Sequence, residues 1–376
     1  MLLLTGATGF LGSRLCAELL RRADGREVVC LVRADTPAHA ERRVRQRLAA
    51  QDPDVADSPR LRVVPGDVTA PRLGLPRDRY FELVAGVTDV YHCGASVNMA
   101  GSHRRLAAVN AAGTSRVIEL CEAAGQAESK RLHHVSTLSV FLAARGTGWD
   151  RVPEHAMPTE RTCGGFGYPR SKYDAEMIVA ARTLRSLPAV VYRPGLILAD
   201  SRDGAGPHDD FIACLFAAAI ATGRFPETDN PLPVIAVDHA ARMIATLSLT
   251  ARTRPGLDVL PVIQPEPVRV RDLADQLRCH GYEVAAANEA EWLSALKRSG
   301  DERSTRAMRA LTISRYLLGL SPDTRLPDLE CAETAQACAD AGIIAPPMDH
   351  DYFSRALRHL REHAVIPHPS PARSLA

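Results

Sequence analysis

Tyr168 and Lys172, in the run Tyr-Pro-Arg-Ser-Lys, stand four residues apart, a spacing that puts both side chains on one face of a helix. A phenol with its ordinary pKa near ~10 is a poor acid–base group at neutral pH, and an adjacent ammonium would favour the phenolate and bring it toward a useful range. Pro169 is tolerated only in the first turn, which places Tyr168 near the helix N-terminus. One strand earlier comes a hydroxyl cluster, Ser136-Thr137-Leu138-Ser139. One of these hydroxyls could aim an O–H at a substrate carbonyl, and the others would serve the turn. Tyr-x-x-x-Lys alone is a frequent accident, so its meaning depends on the elements that must position it.

The first of those elements opens the chain. Leu2 to Leu4 reads as a buried strand, Gly6, Gly9 and Gly12 follow at three-residue spacing, and Leu11, Leu15, Leu19 and Leu20 mark a helix. Such a strand–turn–helix needs glycine for a tight turn, for close backbone approach to a pyrophosphate and for helix–strand packing. The helix N-terminus then offers N–H groups and a positive dipole end to phosphates. A dinucleotide site is therefore expected roughly 160 residues before the Tyr/Lys pair. Arg33, in Leu-Val-Arg-Ala at the end of the second strand, stands where an NAD site carries an acid, and arginine matches a 2′-phosphate instead. Arg43 could close on the same phosphate, while Arg42, Arg45 and Arg47 read as a solvated helix face. Lys172 could hold the nicotinamide ribose, and Asp67, after the third strand, could meet the adenine amino group.

With 376 residues, the chain can bury a large core in one large or two medium domains. A net charge of +2 with mixed signs gives no nucleic-acid signature, and no apolar run approaches a bilayer span of ~20 residues. Met1 directly precedes the first strand and leaves no room for a cleavable signal peptide. Nine scattered cysteines without a Cys-x-x-Cys pair suit reduced, mostly structural thiols and a cytoplasmic setting. Further strands are expected over 27–32, 60–64, 87–93, 131–135, 189–192 and 257–263, with helices over 38–50 and 114–124 between them. Residues 234–250 read as a short strand and a helix. This alternation predicts an α/β fold with a doubly wound, mostly parallel sheet. The sheet unit takes residues 1–198 and 234–264, and a smaller, mainly helical C-terminal substrate-binding cap takes 199–233 and 265–376. The proline-rich end, 367–376, reads as a frayed tail. His92, His133 and His134 lack metal-ligand spacing, and no metal site is expected.

At this point the chain resembles the extended short-chain dehydrogenase/reductases over nearly its full length. Gly6, Gly9 and Gly12 match that family's cofactor turn, Asp67 its adenine contact, Tyr168 and Lys172 its catalytic pair, and Thr137 its catalytic Ser/Thr position. Asn110 matches the asparagine preceding the long helix, Arg193-Pro194-Gly195 the motif after the sixth strand, and Val237-Asp238 the later Val-Asp pair. Within the family it is similar to the thioester reductase branch, the terminal reductase domains of nonribosomal peptide and polyketide synthases, carboxylic acid reductases and aminoadipate reductase. The branch matches are Thr-Gly-Ala-Thr-Gly-Phe-Leu-Gly, Cys30-Leu-Val-Arg-Ala, Tyr91 to Asn98, Asp209-Asp210-Phe211, Glu291-Trp292, Ala341-Gly342-Ile343 with Pro346, and Ile366-Pro367-His368-Pro369.

The resemblance implies a Rossmann sheet, NADP(H) as cofactor, and Thr137, Tyr168 and Lys172 as catalytic residues. It implies a cofactor set of Thr5, Gly6, Thr8, Gly9, Phe10, Leu11, Arg33, Arg43, Asp67, Val68, Gly94, Ala95, Asn110, Tyr168, Lys172, Arg193, Pro194 and Gly195. It also implies NADPH-dependent release of a carrier-bound acyl or peptidyl thioester as an aldehyde, with possible onward reduction to an alcohol. The chain departs from the branch at Cys93, where a small polar residue is usual; packing is the role expected of this thiol. Branch members also usually carry preceding carrier sequence, so a phosphopantetheinylated carrier protein acting in trans is the expected partner, with the Arg355–Arg361 helix as a docking candidate. The competing readings are an acyl-CoA reductase, an epimerase or ketone reductase with a free substrate, and a non-catalytic NADP-binding regulator. Arg33 and the alanine-rich stretch Phe211–Ala221 weigh against a sugar-nucleotide epimerase, and the filled Thr, Tyr and Lys positions against a regulator.

Overall fold

The computed structural model describes residues 1–98, 100–184, 186–250, 256–300 and 311–369; the expected tail lies outside the described residues from 370 onward. Seven strands form one sheet: β1 (Leu2–Thr5), β2 (Val28–Val32), β3 (Leu61–Pro65), β4 (Asp89–His92), β5 (Arg131–Val135), β6 (Ala189–Pro194) and β7 (Leu257–Val262). Their order across the sheet is β7-β6-β5-β4-β1-β2-β3, and every pair is parallel. The expected doubly wound sheet is thus present. Residues of β1 and β2 are buried throughout, as continuous apolar strands covered by helices on both faces must be. The order reverses between β1 and β4, and a crevice outside the carboxyl ends of those strands is the place where this topology receives ligands.

Six helices position the site: α1 (Phe10–Arg22), α2 (His103–Glu122), α3 (Gly167–Thr183), α4 (Phe211–Thr222), α5 (Val237–Thr250) and α6 (His350–Glu362). α1 packs on α5 over one face of the sheet, and α2 packs along α3 on the other. Helix α2 begins eleven residues before the expected 114. Its first turns, His103-Arg-Arg-Leu-Ala-Ala-Val-Asn, bury only Leu106 and Asn110, so they carry little apolar periodicity. The helix expected at 38–50 spans Pro37–Ala49, with Thr36 capping its N-terminus.

The expected strand at 234 forms over Val234–Ala236, but it pairs with Leu196–Leu198 outside the main sheet. Three more two-stranded ladders tie distant segments together: Arg224–Pro226 with Ala285–Ala287, Pro231–Leu232 with Val268–Arg269, and Arg151–Val152 with Asp328–Leu329. Pairings of two or three residues are too short to show a period, which is why sequence pattern does not announce them. One apolar cluster lies between the sheet and α1/α5, and a second gathers Phe216, Phe225, Trp292, Leu317, Tyr352 and Leu357 from the later chain. Burying the Trp292 side chain alone removes enough apolar surface to contribute about 4–6 kcal/mol. Among the described residues no helix is long and apolar enough to cross a membrane.

Candidate active site

The glycine turn is built by contacts that leave no room for a side chain. Gly6 adopts φ +80°, and a Cβ there would lie 2.7 Å from the Gly94 amide, so the turn after β1 rests directly on the backbone after β4. At Gly12 a Cβ would come within 2.1 Å of the Gly6 carbonyl oxygen, which fixes how closely α1 approaches the turn. Gly9 caps α1 without a side-chain acceptor, and the first turn carries no acid. The N-terminal amides of α1 therefore remain available to an anion, and the cradle fits a dinucleotide pyrophosphate. Thr5 does not join the cavity wall. Its Oγ1 bonds His92 Nδ1 at 2.8 Å and accepts from the Gly94 amide at 3.1 Å, bracing β1 against β4.

Beyond β2, Arg33 is exposed, and the guanidinium of Arg43 donates to its backbone carbonyl. This contact brings Arg43, on the helix Pro37–Ala49, against the exposed loop that carries Arg33 at the carboxyl edge of the sheet. The Asp67 Oδ1 accepts from the Thr69 amide and hydroxyl, both at 2.8 Å, and so shapes the loop after β3. Val68 packs against α2 at Gly113, where a Cβ would sit 3.2 Å from Val68 Cγ2.

Tyr168, Pro169 and Lys172 lie in the first two turns of α3, with Pro169 in the first turn as its missing N–H demands. Tyr168 and Thr137 line one cavity with Lys172. Burial, reinforced by the neighbouring Cys93 thiol, raises the phenol well above the ordinary tyrosine value, against the opposing pull of Thr137. This corrects the expectation that an adjacent ammonium would favour the phenolate. Lys172 Nζ instead donates to the Val135 carbonyl at 2.7 Å, and burial lowers its pKa to about 8. The phenol is thus held in its protonated form, the form that can donate. Thr137 also caps the short turn Leu138–Phe141 through the Ser139 amide at 3.1 Å, so turn chemistry and cavity lining coincide at one residue. Ser136 spends its hydroxyl on Glu176.

Cys93 lines the same cavity, and burial pushes its thiol up to about 11, which leaves it protonated and a poor nucleophile. Behind it, burial takes His92 down to about 3 and His134 well below the ordinary histidine value, so both imidazoles are neutral.

Two residues matched by family motif have their polar groups engaged within the protein. Asn110 lies inside α2 rather than before it; it accepts from the Ser96 amide at 2.7 Å and donates to the Ser96 carbonyl at 3.1 Å and to Ser171 Oγ at 2.9 Å. Ser171 in turn donates to the Tyr168 carbonyl at 2.8 Å, so Asn110 holds the loop after β4 and the start of α3 in one register. Arg193 is 1% exposed, pairs with Glu176 at 2.7 Å and donates to the Ala156 carbonyl at 2.7 Å. Its partners seat α3 on β6, while Pro194 and Gly195 reach the cavity wall.

The cavity has a volume of about 820 Å³ and runs from Gly6, Gly9 and Gly12 past Thr137, Tyr168 and Lys172 to an apolar wall. That wall includes Phe211, Leu215, Trp292, Leu296, Leu317 and Leu326. Sequence reading singled out Trp292 and the stretch Phe211–Ala221 that holds Leu215, but missed Leu296 and Leu317, whose only signal is a helical periodicity shared with any core residue, and Leu326, which stands in a loop. Asp210 caps α4 at the Ala213 amide, 2.7 Å away, and burial lifts its carboxyl to about 6.

The family model described as "Male sterility protein", an NAD-binding family, matches residues 4–244. The isonitrile lipopeptide synthase of Streptomyces coeruleorubidus is 32% identical over 375 residues, covering 98% of this chain and 25% of that protein. A component of the linear gramicidin synthase of Brevibacillus parabrevis is 30% identical over 356 residues, covering 94% of this chain and 7% of that protein. The chain thus spans a quarter or less of the length of these two relatives. Among solved structures, the terminal R domain from the myxalamid PKS-NRPS biosynthetic pathway superposes with a TM-score of 0.88 at 29% identity, over 98% of this chain and 92% of that one. Over residues 4–244, from the first strand into the helix that the Val-Asp pair opens, this chain belongs to the NAD-binding family described as Male sterility protein.

Proposed function

We propose that the protein is an NADPH-dependent thioester reductase that releases an acyl or peptidyl group from a carrier protein as an aldehyde in the cytoplasm. The observation that carries this reading is the single cavity in which the glycine turn, the Thr137–Tyr168–Lys172 group and an apolar wall are continuous. Likeness to terminal reductase domains supports it. NADPH, when bound, supplies hydride to the thioester carbonyl carbon. As negative charge develops on the carbonyl oxygen, the hydroxyls of Thr137 and Tyr168 donate to it, an oxyanion-hole role. Tyr168, kept protonated by burial, transfers its proton to that oxygen. The resulting hemithioacetal collapses to an aldehyde and the carrier thiol. Lys172, anchored on Val135, supplies positive charge beside the phenol and a donor for the nicotinamide ribose.

The preference for NADPH rests on Arg33, which takes the first position after β2, and on Arg43, which reaches the Arg33 carbonyl from the helix Pro37–Ala49. The division into a sheet unit of 1–198 with 234–264 and a cap of 199–233 with 265–376 belongs to the same reading. The two apolar clusters support it, although Cys338 and Ile343 pack with the first cluster. NADPH consumption is measured with a matched acyl group on a carrier protein, on coenzyme A and on pantetheine, and with a nucleotide sugar and a free ketone. Turnover of the carrier-bound thioester above all others is expected. Equal rates with coenzyme A at every salt concentration indicate an acyl-CoA reductase, and activity confined to the sugar or ketone overturns the thioester reading.

A further inference from the structure

Away from the cavity, three histidines from two segments converge. His208 follows Pro207 in the loop that leads into α4, while His359 lies in the last turn of α6 and His363 caps it. His359 and His363 are four residues apart, so they share a helix face. The Nε2 atoms of His208 and His359 are 3.2 Å apart, and one ligand nitrogen from each of the three rings lies within 4.8 Å of the others. Two nitrogens bound to one tetrahedral zinc ion at its usual bond length stand about 3.3 Å apart.

One of the rings also has its outer nitrogen anchored on the backbone. His363 Nδ1 donates to the His359 carbonyl at 2.9 Å, which in the neutral ring makes Nε2 the free, ligating nitrogen. The His359 Nε2 faces His208. An N–H given to a backbone carbonyl is the outer contact that fixes the tautomer of a ligating histidine. The third ligand is held in place by packing. Gly204 adopts φ +78° so tightly against α6 that a Cβ would lie 2.3 Å from the Arg355 carbonyl carbon. Tyr352 Oη donates to the Ala199 carbonyl and Arg355 Nε to the Ser201 carbonyl, each at 2.9 Å. The carbonyl end of α6 adds a negative dipole beside the cluster.

We propose that His208, His359 and His363 form a binding site for a divalent transition metal of the zinc class, which clasps the 199–210 loop to α6. Three imidazoles leave a fourth position for water. The clasp lies at the back of the loop whose Pro207, Asp209 and Asp210 line the cavity, so the metal would stabilise that wall without entering the reaction. The site goes beyond the reductase reading and does not depend on it.

The test uses the full-length chain after dialysis against a chelator. Co²⁺ is titrated in and its visible absorption followed, with Zn²⁺ as competitor and NADPH binding as a check on folding. One saturable equivalent is expected, displaced by Zn²⁺. His208→Ala and His363→Ala should each weaken it by at least about tenfold and leave NADPH binding unchanged. Zn²⁺ should raise the Tm of the native protein and not that of the His359→Ala/His363→Ala variant. If that double variant binds Co²⁺ with the native stoichiometry and affinity, the metal is held elsewhere, for example by thiolates, and the proposal fails.

Discussion

The two walls of the cavity are made in different ways. On the sheet side, side chains and turns are placed by short, sterically absolute contacts. Gly6 rests on Gly94, Gly12 on Gly6, and Lys172 on the carbonyl that ends β5. On the cap side, apolar residues from α4, Glu289–Ser299 and Leu311–Leu318 meet across long chain separations and contribute area rather than geometry. The contrast assigns chemistry to the sheet wall and selectivity to the cap wall. A change on the first should alter rate or cofactor affinity for every substrate, whereas a change on the second should alter which substrate is accepted.

The largest expected effect is on the sheet wall. Tyr168→Phe removes only the hydroxyl, so folding and NADPH binding should persist while kcat falls by about 10²–10⁴ for all acyl groups. Steady-state kinetics and NADPH fluorescence check both halves, and near-normal turnover would remove Tyr168 from the mechanism. Next comes Arg33→Ala. Losing a charge-assisted bond to a 2′-phosphate should cost roughly ten- to a hundredfold in NADPH affinity and little in NADH affinity. Equal losses for both cofactors would show that Arg33 supports the fold.

A cap change should be smaller and selective. Leu296→Ala, at the apolar wall, should raise KM for long acyl chains by about tenfold and leave short ones near native. A uniform fall in kcat across chain lengths would erase the distinction between the walls. The smallest effect is a pH limb. In the proposed mechanism Lys172 acts as the ammonium, and with its pKa lowered to about 8 kcat/KM should fall as pH rises through that value. The phenol, held above its ordinary value, titrates later. The same lowered amine gives a stability that increases as pH rises from about 8 toward the unfolded lysine value, because the buried ammonium is then discharged. A profile flat past that range would exclude Lys172 as the titrating group.

How much of this was legible in the sequence follows the same division. The strand and helix alternation, the glycine spacing and the Tyr168/Lys172 face depend on residues within a few positions of one another, and apolar runs with glycine spacing announce them. Asn110 and Arg193 were visible as motif members, but their bonding was not. Whether a polar side chain faces a ligand or a neighbouring helix depends on partners such as Ser171 and Glu176, far away along the chain. The same limit hid the histidine cluster: His359 and His363 show a helical spacing, yet His208 is 151 residues away and arrives only by loop packing. The direction of the Tyr168 shift was misread because sequence reveals the nearby lysine but not the depth of burial.

The most direct test of the central claim is to follow one hydride. The protein is incubated with a carrier-bound acyl thioester and NADPH deuterated at the transferable position, and the product is trapped and analysed by mass spectrometry. The account predicts an aldehyde, or its alcohol, labelled at the former carbonyl carbon by the native protein, and loss of that product with Tyr168→Phe. A protein that binds NADPH yet releases no labelled aldehyde or alcohol, or a Phe variant that labels as fast as the native chain, would contradict it.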